Sequence, residues 1–427
     1  MNGTPTPHQQ EPGNEKRLLI AFVLTFVVLV LMQPLLKKYG PKESPAAPQQ
    51  KTAPAASTSS PTQPQAQPQA STPAAAQALP AKQASGEQET VVENDLYRIT
   101  FTNRGGQVKS WVLKKFTDDK GKPLELVNSV AAPQYGLPMS LWTYDGGLRK
   151  SLNEGLYVPS ATGTVSAPAT LTFEYIANGL VVRKVFDFNH SYVVKLDTFV
   201  QKDGSAVRAF PAWPAGFGDE TVVSSYASAK IAYQTGGKVE RIDPKKVSGG
   251  NTVQGPLHWA GAEDQYFAAV FLPDEPENAT MVTFAEQIEI PKNLDKPDPT
   301  QMQKVPVLGA AVGDVNGLTR ERVFIGPKKV DVLDSVHASL THAERASLGA
   351  AAQGPDLGGL VDFGRYFGWI AKPLFLWLKW TYNHMVANWG WDIVILTVLI
   401  TLATMPLRIS SMKSSLKMQK VQPQIKA

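Results

Sequence analysis

The sequence contains no cysteine, so its 427 residues hold neither a disulfide nor a thiolate metal site. A chain of that length can bury a full core without such staples. Any exported part must be stabilised by packing alone, and the lack of cysteine does not itself fix the compartment. Charge of one sign is scarce overall, since the net charge is only +5. No basic patch is interleaved with aromatics for base stacking, so DNA is not an expected partner. The basic excess sits beside apolar segments, which points to anionic lipid and to membrane topology. Acid is missing altogether after Asp392, whereas Arg408, Lys413, Lys417, Lys420 and Lys426 follow. No metal or cofactor is expected.

Residues 1–16 are polar and proline-rich and read as a tail. Residues 17–38 carry the first long apolar run, with 18–36 spanning roughly 28 Å as a helix, close to a bilayer's hydrocarbon thickness. A cleaved signal peptide is the competing reading, but no small-x-small site follows directly. Lys16 and Arg17 oppose Lys37, Lys38 and Lys42, so local charge does not orient this segment. Residues 39–88 are a linker. Within 44–86 only Lys51, Leu79 and Lys82 break a composition of Ala, Pro, Gln, Ser, Thr and Gly, and such a stretch cannot offset the entropy of ordering.

From residue 89 the pattern is that of strands. Tyr97, Ile99 and Phe101 alternate with Arg98 and Thr100, and Asn103-Arg104-Gly105-Gly106 turns the chain into 108–113. Residues 181–188 and 192–200 flank Asn189-His190-Ser191 as a second hairpin, and 266–272 and 281–284 continue the series. The expectation is a large antiparallel β-sandwich. Residues 331–348 read as one helix, with Val332, Val336 and Leu340 at helical spacing. The sandwich with this helix spans 89–348.

Residues 357–386 read as an interfacial amphipathic helix. Arg365, Lys372 and Lys379 recur every seven residues and form one basic line, suited to lipid headgroups, on an otherwise apolar surface. Pro373 is expected to kink or divide it. Residues 389–407 read as a second span, edged by Trp389-Gly390-Trp391, with the basic stretch 408–427 beyond it. That basic side faces the cytoplasm, which places both chain ends there and the sandwich outside. Thr397, Thr401, Thr404 and Arg408 are spaced four, three and four apart and fall on one narrow helix face. Lining of a polar groove is one reading of this stripe. The other is that the hydroxyls bond carbonyls four residues back and merely pack. Lys413, Lys417 and Lys420 form a cytoplasmic basic tail, serving topology or contact with ribosomal RNA.

Several motifs then occur in order: Asn103-Arg104-Gly105-Gly106-Gln107-Val108, Gly216-Phe217-Gly218-Asp219, Glu263-Asp264-Gln265-Tyr266-Phe267, Ile370-Ala371-Lys372-Pro373-Leu374, Asn388-Trp389-Gly390-Trp391, Met405-Pro406-Leu407 and Gln422-Pro423. With them the chain resembles the bacterial membrane protein insertases of the YidC type, in the Gram-negative form with a large periplasmic domain. The resemblance implies a multidomain membrane protein: an all-β, galactose-mutarotase-like periplasmic sandwich plus α-helical transmembrane segments. It implies a multi-pass protein of the inner membrane, without enzymatic activity, that inserts and helps fold membrane proteins. It does so alone or with the Sec translocon, through a hydrophilic groove open to cytoplasm and lipid. The implied partners are nascent membrane proteins, Sec translocon components, the ribosome and membrane lipids.

Two features depart from the family. Its groove-lining helix usually carries Arg or Lys where Thr401 stands, and the nearest candidate charge here is Arg408, roughly 10 Å nearer the cytoplasm. The sequence also ends at Ala427, where the family's cytoplasmic helical hairpin begins, so an apparent truncation after the second span is expected. Two other function classes compete: a membrane-anchored carbohydrate-binding or mutarotase-like protein, and a non-catalytic anchor or chaperone scaffold for the Sec machinery. The first requires a His and a carboxylate converging in a cleft, and the sandwich offers only His190 and His258.

Overall fold

A computed structural model describes residues 80–425, apart from 119, 220–225, 227, 248, 293–297, 350, 365–367 and 386–387. The expected tail at 1–16, the span at 17–38 and most of the linker at 39–88 lie outside the described residues, as does Arg365.

Alternating side chains build the strands. In Tyr97–Thr102, Tyr97, Ile99 and Phe101 are fully buried while Arg98 is exposed, the period of two that puts one strand face on a core. Gly105 and Gly106, both at positive φ, reverse the chain into Gln107–Thr117, which pairs antiparallel with Ile99 opposite Trp111. Glycine is required here because a Cβ on Gly105 would strike Asn153 backbone atoms within 3 Å. The second expected hairpin is also present: Leu180–Phe188 pairs antiparallel with Val193–Lys202.

The strands of the described residues form three sheets. One has five strands, including Tyr97–Thr102 and Gln107–Thr117. A ten-stranded sheet runs through Phe267–Pro273, Leu318–Pro327, Val193–Lys202 and Leu180–Phe188 as successive neighbours. A third holds the long pair Ala279–Pro291 and Met302–Asp314. One buried cluster draws on all three, with Ile99 from the first, Phe186, Leu196 and Val270 from the second, and Met281 and Val312 from the third. The expected β-sandwich is therefore the observed architecture.

Order begins earlier than the linker reading placed it. Lys82 bridges to Ile176, the Ala84 N–H donates to the Leu156 carbonyl at 3.0 Å, and Lys82 pairs with Glu174. Backbone hydrogen bonding to a strand edge fixes this segment, and composition alone does not register it.

The single helix expected at 331–348 is not formed. Two short helices, Val330–Leu333 and His342–Leu348, are separated by extended chain that bridges His337 to Asp356. Val336 and Leu340 are buried from that extended segment, so their spacing of four was coincidence rather than a helix face. The start signal within the interval is Thr341-x-x-Glu344, a capping box with both reciprocal bonds made.

Two longer helices follow, Gly368–His384 and Trp389–Ile425. Pro373 neither ends nor divides the first, correcting the expected division. It stands in the second turn, where the bond it forgoes is one of the first in the ladder. The second helix runs 37 residues without a break at the expected boundary of 407, about 55 Å in length.

Candidate functional site

Within the long helix, Trp389–Pro406 is long and apolar enough to cross a membrane, with only 6% of that segment buried against the rest of the protein. It is the one such helix among the described residues. Eighteen residues give about 27 Å of rise, so the remaining half of the helix extends beyond the hydrocarbon. Val394, Val398, Leu399 and Leu402 are exposed around the segment, as a lipid-facing surface requires.

The threonine stripe is on one face, as the spacing requires. Thr397 Oγ1 donates to the Ile393 carbonyl at 2.7 Å, Thr401 Oγ1 to Thr397 at 2.7 Å, and Thr404 Oγ1 to Ile400 at 2.9 Å. Each hydroxyl proton is thus spent on the helix's own backbone, which makes the polar groups tolerable in lipid. Each oxygen keeps lone pairs free to accept from water or substrate. Thr397 and Thr401 are exposed and Thr404 is half-buried. Arg408 and Lys413 are exposed on the same helix past the span. Lys417 and Lys420 lie on its further turns, and their side chains are outside the described residues.

Of the basic line, Lys372 is exposed on the preceding helix, whereas Lys379 is half-buried and forms an ion pair with Asp331 of the β domain. The pair ties the amphipathic helix to the sandwich. Tyr382 stacks on Trp389 with ring centroids 4.3 Å apart and planes 15° apart, which clamps the corner between the two long helices.

Asp392 was not read as a site residue from the sequence. It is fully buried at the start of the span, and neither carboxylate oxygen has a hydrogen-bond partner among the described residues. A first-turn acid interacts favourably with the helix dipole, but a buried unpaired carboxylate in a span is unusual and expensive. The signal was available: Asp392 is the last acidic residue of the chain and the only one in the apolar segment.

The sandwich assembles no acid–base cleft from its histidines. His190 is exposed at its hairpin turn, 3.8 Å from Asp95. His258 is buried, its Nε2 2.8 Å from Glu344 Oε2. The same carboxylate oxygen accepts from the Thr341 N–H and hydroxyl. That histidine therefore braces the capped helix His342–Leu348 against the sheet.

Residues 89–377 match the family described as YidC periplasmic domain, and residues 380–427 match that described as 60Kd inner membrane protein. The first match alone covers well over half of the chain. The chain belongs to the YidC family. Among its relatives, the membrane protein insertase YidC of Syntrophus aciditrophicus is 28% identical, over 96% of this chain and 73% of that protein. The solved structure of YidC from Thermotoga maritima matches 77% of this chain and 72% of its own, at 14% identity and a TM-score of 0.28. A putative aldose 1-epimerase from Escherichia coli matches 57% of this chain and all of its own, at 10% identity and a TM-score of 0.36. Within the YidC family match, the boundary between the two family regions falls in the amphipathic helix, between Trp377 and Trp380.

Proposed function

We propose that this chain inserts membrane proteins into the bacterial inner membrane, with its sandwich in the periplasm and the long helix forming one wall of the insertion path. The observation that carries this reading is the face bearing Thr397, Thr401 and Thr404, with Arg408 beyond it, on a helix barely buried within the protein. A charge at the bilayer centre costs about 2.5–3.5 kcal/mol even on insertion scales. A face of hydroxyl oxygens that holds water lowers that barrier for the hydrophilic part of a substrate, and Arg408 attracts acidic segments to the cytoplasmic mouth. No bond is made or broken in such a task.

Lys372 and Arg365 contact lipid headgroups in this reading, and Lys379 divides its time between headgroups and Asp331. Lys413, Lys417 and Lys420 face the cytoplasm, where anionic lipid, the ribosome and the Sec translocon are the partners. The protein is multi-pass, with residues 17–38 as the first span.

The test is depletion of the gene's complete product from cells, followed by protease protection of single-span substrates. Substrates with a short hydrophilic translocated segment should remain accessible at the cytoplasmic face. Unchanged protection after depletion would reject the reading.

A further inference from the structure

Glu321 is fully buried, and neither of its carboxylate oxygens has a hydrogen-bond partner among the described residues. It stands in the strand Leu318–Pro327, opposite Pro273 of the neighbouring strand, on the same face as Thr319. Such a group in a native fold calls for an explanation, because an unpaired buried carboxyl costs the desolvation of its polar atoms.

The surroundings supply one. Glu321 lines a cavity of about 320 Å³ that Asp274, Glu275, Glu277 and Asp314 also line. Burial pushes Glu321 well above the usual carboxylate range, and the neighbouring Asp274 adds to it. Burial raises Asp314 as well; the Asn316 N–H opposes the rise and the Glu275 charge adds to it. Burial and a like-charged neighbour thus both disfavour the ionised form at Glu321 and at Asp314.

Two basic residues of the cavity have partners of their own. His342 is paired with Glu277, and an Arg345 guanidinium nitrogen donates to the Leu340 carbonyl at 3.3 Å. Arg320 adjoins Glu321 in the strand, so its side chain leaves by the opposite face, where Arg183 and Asp197 line a separate hollow. No group of three acidic, His or Cys side chains among the described residues is arranged to hold a metal ion.

We propose that this cavity binds an ammonium or guanidinium group, with Glu321 at its floor and Asp274 and Asp314 along its walls. The proposal goes beyond membrane insertion and does not depend on it. The group comes either from a free polyamine or from a Lys or Arg side chain of a peptide. Binding exchanges a proton for the cation: Glu321 gives up its carboxyl proton to the solvent and meets the ligand as carboxylate. Leu340, His342 and Arg345 border the cavity.

The experiment is calorimetric titration of the full chain in detergent at low salt and pH 7, with spermidine and separately with a short peptide carrying one arginine. Whichever probe binds identifies the source. The expected heat varies with the ionisation enthalpy of the buffer, which reports the released proton. Glu321→Gln keeps the shape of the neutral acid; it should weaken binding roughly 10- to 100-fold and abolish proton release. Asp314→Asn should weaken binding and retain proton release. Failure of both probes to bind overturns the proposal, as does equal affinity in Glu321→Gln. Should Glu321→Gln fail to fold, as judged by circular dichroism, unchanged affinity in Asp314→Asn overturns it instead.

Discussion

Lys184 Nζ donates a 2.8 Å hydrogen bond to the carbonyl of Gly106, on a strand turn 78 residues earlier in the chain. Two further bonds reach the Gly105 carbonyl at 3.0 Å and the Met139 carbonyl at 2.5 Å. The amine is fully buried, and in its protonated form all three of its protons are used. Gly105, Gly106 and Met139 all sit at positive φ, where strand and helix hydrogen bonds cannot satisfy their carbonyls. One side chain thus closes the turn of the Asn103-Arg104-Gly105-Gly106 motif onto the sheet.

Lys184→Met should lower stability by about 2–4 kcal/mol, because three buried carbonyls lose their donor. Burial lowers the Lys184 pKa from 10.5 to about 7. Between those values the unfolded chain holds a proton that the folded chain does not, so wild-type stability rises with pH across that window. The variant lacks this dependence. The stability difference between the two should therefore widen by about 1 kcal/mol per pH unit from pH 7 to 9. Urea unfolding at three pH values measures it, and a constant difference would mean that the amine stays charged in the fold.

Topology can be checked cleanly because the chain has no cysteine of its own. Ser205 is exposed in a short strand of the sandwich and Lys413 lies beyond the span. A membrane-impermeant thiol reagent applied from the periplasmic side should label Ser205→Cys and leave Lys413→Cys untouched. Labelling of the second position would reverse the long helix.

The ion pair of Lys379 with Asp331 is half exposed, and such pairs contribute about 0.2–1 kcal/mol. Its removal should leave global stability nearly unchanged but loosen the tether between helix and sandwich. Hydrogen exchange in Gly368–His384 should quicken similarly in Lys379→Ala and Asp331→Ala, with no further gain in the double variant. Additive effects would show that the two side chains act separately, with Lys379 committed to headgroups.

The hairpins, the sandwich and the shared helix face of the threonines were legible in the sequence, since each rests on periodicity or on turn residues within a few positions. Of the helix expected at 357–386, the stretch Gly368–His384 is helical, after a separate 3-10 turn at Leu357–Leu360. What escaped depends on distant contacts. The spacing of Val332, Val336 and Leu340 suggested a helix, yet the Thr341–Glu344 box starts a new one within that interval. Lys82 looked like linker because its partner Glu174 is remote in sequence. Lys184 and Glu321 carry no motif at all; only assembly of the sheets shows that both are buried. Asp392 was visible as the last acid but gave no sign that it would be enclosed.

The most discriminating prediction concerns the polar face and the charge beyond it. Replacing Thr397, Thr401 and Thr404 by leucine removes the acceptor oxygens while keeping the helix, since each hydroxyl bonds only backbone of its own turn. Insertion of substrates with charged translocated segments should fall by about tenfold or more, given the desolvation cost of a charge in lipid. Purely apolar substrates should be little affected. Arg408→Ala should impair acidic substrates selectively, and Thr401→Arg should compensate by returning a charge about 10 Å deeper along the same face. Protease protection of substrates that differ only in translocated charge is the measurement, made in the complete gene product. If Arg408→Ala inserts acidic and neutral substrates equally well, Arg408 serves topology alone. If the triple leucine variant treats charged and apolar substrates alike, the threonines merely pack.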